Sequence, residues 1–139
     1  VLYLDAKSGQ VLEELGGMNV FVVLKDGTVL TPVLTGNLLE GVTRSSIIQL
    51  LSDDDLKVVE RDITLSELRE GVASGEVAEV FACGTAAVVT PVGRMGSTDF
   101  ELQVGDGQPG EVTMKVRKTL TDIQYGRAED PYGWMEILA

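Results

Sequence analysis

The segment Lys25-Asp26-Gly27-Thr28, set between the apolar runs Asn19–Leu24 and Val29–Leu34, restricts the fold more than any other stretch of the chain. Asp-Gly supplies the positive φ angles of a tight hairpin turn, so the two flanking runs pair as antiparallel neighbours. Thr31-Pro32 removes a backbone donor and puts the second run at a sheet edge or near its own end. Before the hairpin, Val1–Asp5 reads as a strand, Lys7–Gln10 as a turn, Val11–Leu15 as a short strand and Gly16-Gly17 as a break. After it come a helix from about Thr43 to Leu51, a strand over Leu56–Ile63, and a helix opening at Thr64-Leu65-Ser66-Glu67-Leu68 and closing at Gly75. Thr64 or Ser66 can cap that helix, with Glu67 three residues beyond Thr64.

The β runs Ala78–Phe81 and Ala86–Val92 are separated by Cys83-Gly84-Thr85, and Phe100–Val104 pairs back as a shorter strand. The longest helix spans Gly110–Tyr125, where Val112, Val116, Leu120 and Ile123 form an apolar stripe. Hairpins with helices interspersed imply an α/β (α+β) layered domain on a mixed sheet. The 139 residues, 44% hydrophobic, suit one domain spanning 1–139. Because Val1 already lies in a strand, the natural polypeptide is expected to continue upstream, with this chain as its C-terminal part.

Leu39-Glu40-Gly41-Val42-Thr43-Arg44 is a glycine-containing turn that runs directly into an apolar-periodic helix. The first amides of such a helix have no intrahelical acceptor and carry the positive end of its dipole, which suits a phosphate. The same pattern also occurs at helix starts that bind nothing. Histidine is absent and Cys83 is the only cysteine, so Ser-His-Asp and Cys-His catalysis, an internal disulfide and a cysteine-based metal cluster are all excluded. No metal site is expected, and enzyme chemistry on this chain would need lysine, carboxylates or a cofactor. A net charge of −11 argues against nucleic acid or membrane as partner, and no signal segment or membrane-length apolar run is present, so a cytoplasmic location is expected.

Four segments in order, Glu13-Glu14-Leu15-Gly16-Gly17-Met18-Asn19-Val20-Phe21, Gly41-Val42-Thr43-Arg44, Cys83-Gly84-Thr85-Ala86-Ala87 and Leu120-Thr121-Asp122-Ile123-Gln124-Tyr125-Gly126 with Trp134 beyond, resemble the C-terminal domain of branched-chain amino acid aminotransferases. These are fold-type IV enzymes that use pyridoxal 5'-phosphate. The resemblance implies that Glu14 faces the pyridine nitrogen of the cofactor, where a carboxylate keeps the ring protonated as an electron sink. It also implies that Val42 and Thr43 hold the phosphate through backbone N–H groups, with Gly41 allowing close approach, and that Thr85 contacts the same phosphate. The amides of Thr85 and Ala86 would hold the substrate α-carboxylate. Arg44 reads equally as a phosphate contact or as half of a structural ion pair, and Cys83 as a packed, inert thiol. Ala87 and Thr90 stand where some relatives carry a Cys-x-x-Cys, so no such redox switch is expected.

The family's Schiff-base lysine lies upstream of the Glu14 segment, and none of Lys7, Lys25, Lys57, Lys115 or Lys118 has its sequence context. No catalytic residue is therefore expected within this chain, and alone it should not transaminate. The intact enzyme implied by the resemblance is a homodimer acting on leucine, isoleucine or valine with 2-oxoglutarate, an amino acid and 2-oxo acid pair. A D-amino acid aminotransferase or an aminodeoxychorismate lyase shares the fold and the turn, and a noncatalytic module that binds an anion or a protein partner is a further reading.

Overall fold

The computed structural model describes residues 1–138. In chain order the elements are β1 (Leu2–Leu4), β2 (Leu12–Leu15), β3 (Asn19–Leu24), β4 (Val29–Thr31), α1 (Val42–Asp53), β5 (Val58–Glu60), α2 (Leu65–Ser74), β6 (Val77–Gly84), β7 (Val88–Pro91), β8 (Arg94–Gly96), β9 (Glu101–Gln103) and α3 (Glu111–Gln124). Five strands form the central sheet in the order β5-β4-β3-β6-β7, while β1-β2 and β8-β9 form separate two-stranded sheets. The sheet is mixed, as the hairpin implies: β3 is antiparallel to β4 and β6, β6 to β7, and only β4-β5 is parallel.

Both faces of the central sheet are covered, which is why β3 reads as a continuous apolar run rather than an alternating one. Phe21, Val23, Phe81 and Cys83 point to one core, filled from α1 by Ile47, Leu50 and Leu51 and from α3 by Val116, Leu120 and Ile123. Val20, Val22 and Val80 point to a second core with Leu12, Ile63, Leu68 and Val72. Phe21 and Phe81 are directly opposed in the β3-β6 register and stack with ring centroids 4.9 Å apart. Burial of these two side chains contributes on the order of 2–3 kcal/mol each, so the β3-β6 pair is the rigid spine of the domain.

Several elements end differently from the sequence expectation. β4 stops at Thr31 although the apolar run continues to Leu34, because Pro32 has no donor and its carbonyl instead accepts from Arg44 Nη2 at 3.1 Å. β5 contracts from Leu56–Ile63 to Val58–Glu60. β6 runs on through Cys83 and Gly84, and the turn falls at residues 85–87, two residues later than the break read in sequence. The short strand near Phe100 pairs with β8, a segment whose Arg-Met-Gly composition carries no strand signal. Among the described residues no helix is long and apolar enough to cross a membrane.

Of the two possible caps for α2, Thr64 is the one used: its Oγ1 accepts the Glu67 N–H at 3.1 Å, and Gly75 closes the helix at φ 79°. Thr64→Ala is expected to lower the unfolding free energy by about 1 kcal/mol, read from the urea midpoint, whereas Ser66→Ala should leave it nearly unchanged.

Candidate functional site

The three helices begin in three different ways. α2 is capped by Thr64. At the start of α3, the Glu79 carboxylate reaches across from β6 and accepts from the Val112 and Thr113 amides at 3.0 and 2.8 Å and from the Thr113 hydroxyl at 2.7 Å. At α1 the capping position is Gly41, at φ 68° and ψ 110°, and no side chain bonds the first turn. The Ser45 N–H is the first to find the helical acceptor, Gly41 O at 3.1 Å. The amides of Val42, Thr43 and Arg44 precede it and, by helix geometry, have no intrahelical partner. An uncapped start of this kind presents converging donors and half a positive charge to an incoming anion.

That start is fixed to the sheet by Asn19. The side chain is buried at the beginning of β3, and its Nδ2 donates to Leu39 O at 2.9 Å. A Cβ placed on Gly41 would lie 2.3 Å from Asn19 Oδ1, so the two residues are in direct contact and only glycine fits. Asn19 also opposes Cys83 in the β3-β6 ladder, and Cys83-Gly84 leads into the turn at Thr85 and Ala86, both exposed. Met18 packs on Gly84, where an added Cβ would lie 3.1 Å from Met18 Cγ. Glu14 is half-buried near the end of β2, and the Leu15–Met18 bridge folds that strand end back onto the start of β3. Gly41, Val42, Thr43, Thr85, Ala86 and Glu14, drawn from three separate parts of the chain, therefore lie around one end of the β3-β6 pair.

Arg44 settles on one of its two readings. Its Nη2 donates to Glu60 Oε2 at 2.6 Å and to Pro32 O, with the side chain only 4% exposed. It clamps the first turn of α1 to the ends of β4 and β5. Asn19 and Glu79 are the positions that sequence reasoning left without a role. The available signals were a polar residue opening an otherwise apolar strand and an acid inside an apolar β run.

Cys83 is fully buried, and desolvation pushes its thiol up to about 12, outweighing a smaller opposing pull from Arg44. The neutral thiol is thus the native form at ordinary pH. Iodoacetamide at pH 8 is expected to leave Cys83 unmodified in the folded protein and to alkylate it in urea; rapid labelling of the native state would contradict this. All five lysines are exposed, and none lies in the turns just described; Lys115 pairs with Asp54 at 2.7 Å and Lys118 with Asp122. A mostly apolar cavity of about 320 Å³ lies elsewhere, between β1, α2 and the β8-β9 hairpin.

A model of the amino-transferase class IV family matches residues 1–95. The branched-chain-amino-acid aminotransferase of Mycobacterium tuberculosis (strain ATCC 25618 / H37Rv) is 51% identical over 141 residues, covering 99% of this chain and 38% of that protein. Branched-chain-amino-acid transaminase 1 of Bacillus subtilis (strain 168) is 45% identical over 134 residues, covering 96% of this chain and 37% of that protein. The crystal structure of Escherichia coli branched-chain amino acid aminotransferase matches with a TM-score of 0.80 at 34% identity, covering 96% of this chain and 40% of that one. The chain thus spans 37–40% of the length of these relatives.

Proposed function

The chain belongs to the class IV aminotransferases, and from that premise we propose that it forms the cofactor-phosphate end of a pyridoxal phosphate-dependent branched-chain amino acid aminotransferase. The observation that carries this is the α1 start, uncapped and held by Asn19 beside the β6-β7 turn. In this reading the Val42 and Thr43 amides bind the phosphate, Gly41 lets it approach the backbone, and the Thr43 and Thr85 hydroxyls add donors from two sides. Thr85 and Ala86, with small side chains on an exposed turn, offer amides to the substrate α-carboxylate.

Glu14 supplies a carboxylate that holds a proton on the pyridine nitrogen. The cofactor, when bound, supplies an electron sink for negative charge developing at the substrate Cα. A fixed anion at Glu14 makes that sink stronger, because it stabilises the cationic ring against loss of its proton. The lysine that anchors the cofactor and moves the Cα proton comes, in this proposal, from outside these 139 residues, since the five lysines here are all exposed and none belongs to the turns themselves. Leu39 and Val42, 70% and 87% exposed beside the α1 start, support a covering surface from the rest of the enzyme. The proposed whole is a cytoplasmic homodimer that exchanges the amino group of leucine, isoleucine or valine with 2-oxoglutarate.

Glu14→Gln in the intact enzyme tests the reading. Transamination of leucine with 2-oxoglutarate is expected to fall roughly 10²–10³-fold while the unfolding midpoint stays in place. Undiminished turnover would contradict it. The 139 residues by themselves are expected to show no conversion with added cofactor, and appreciable conversion would place the anchoring lysine within them.

A further inference from the structure

Building on the phosphate reading above, we infer that Asn19 is a positioning residue that sets the distance between the two phosphate-binding turns. Its backbone is part of the β3-β6 ladder opposite Cys83, two residues before Thr85. Its side chain leaves the ladder and fastens the other turn, donating to Leu39 O at 2.9 Å and resting its Oδ1 against Gly41. One buried amide thus joins a segment twenty residues away in sequence to a strand pair that ends in the second turn. The rigidity of the link has two sources. The ladder cannot slide without moving every β3 side chain to the wrong core, and the side chain is packed tightly enough that Gly41 tolerates no Cβ.

An apolar residue here would leave the Leu39 carbonyl without its donor, and the turn would be free to drift while the ladder stayed intact. Phosphate donors supplied by both turns need a fixed separation, because a displacement of a few tenths of an ångström weakens several charge-assisted hydrogen bonds at once. Contacts made by the pyridine ring through Glu14 do not depend on that separation. Asn19 should therefore act on the phosphate and leave the ring interactions unaltered.

The test compares the affinity of the intact protein for pyridoxal phosphate with its affinity for pyridoxal, which has the same ring and no phosphate. The unsubstituted protein is expected to prefer the phosphorylated form strongly. Asn19→Ala should shrink that preference about tenfold or more, with the affinity for pyridoxal held within about twofold. Asn19→Leu is uncharged and close in size to asparagine but offers the Leu39 carbonyl no donor, and the same selective loss is expected; it carries the test if the alanine variant does not fold. In the unsubstituted protein, the Asn19 side-chain amide resonances should shift with pyridoxal phosphate and stay put with pyridoxal. Equal weakening of both ligands, an unchanged preference, or resonances that respond alike to both would overturn the positioning role. A wild-type protein that binds the two ligands equally would instead refute the phosphate end itself.

Discussion

Glu79→Ala is expected to lower the unfolding free energy by about 3 kcal/mol. The carboxylate bonds two amides at the start of α3 and the Thr113 hydroxyl, and Thr113 is fully buried. Loss of a helix cap costs about 1 kcal/mol, and a buried hydroxyl left without its partner costs about 1–3 kcal/mol more. α3 supplies Val116, Leu120 and Ile123 to the core beneath β3 and β6, so loosening its first turn is felt where the candidate site is anchored. Glu79→Gln keeps one acceptor oxygen and should cost roughly half as much. Urea unfolding of the two variants checks this; an alanine variant within about 0.5 kcal/mol of the parent would contradict the capping role. Gly110 belongs to the same device, because a Cβ there would lie 1.9 Å from the Glu79 carboxyl carbon.

Gly41→Ala is expected to abolish tight cofactor binding, lowering affinity for pyridoxal phosphate roughly a hundredfold. At φ 68° and ψ 110° a side chain is strained by about 1–3 kcal/mol, and the new Cβ would also meet Asn19 Oδ1 at 2.3 Å. The chain can relieve that contact only by moving Asn19 off Leu39 or by moving the α1 start, and either shift misplaces the Val42 and Thr43 amides. Gly9 is the control, since it has φ 64° but nothing within 4 Å of an added Cβ. Gly9→Ala should show the backbone strain in its unfolding midpoint and leave cofactor affinity intact. Equal affinities for the parent and Gly41→Ala would remove the α1 start from the site.

The sheet and the longest helix were legible because local signals agreed with the global packing. Asp26-Gly27 fixes the β3-β4 hairpin, and the Val112, Val116, Leu120 and Ile123 stripe marks α3 by its helical spacing alone. Strand ends were less visible: Pro32 marked the end of β4 locally, but the long-range part of that end, Arg44 donating to the Pro32 carbonyl and to Glu60, joins residues far apart in sequence. β9 was read within Phe100–Val104, but its partner β8 was hidden for a different reason: its three residues are exposed or half-buried and too few to show a period. The candidate site was legible as motifs, and the Gly41 turn also as local chemistry. What joins the motifs, the Asn19 side chain, was not legible, because a single buried amide has no periodicity and its partner carbonyl is twenty positions distant.

Pyridoxal phosphate, diffused into crystals of the intact enzyme, tests the central claim most directly. The phosphate is expected within hydrogen-bond distance of the Val42 and Thr43 amides and of the Thr85 hydroxyl, with the pyridine nitrogen facing Glu14. A phosphate seated away from the α1 start, or a ring nitrogen turned from Glu14 toward solvent, would contradict it.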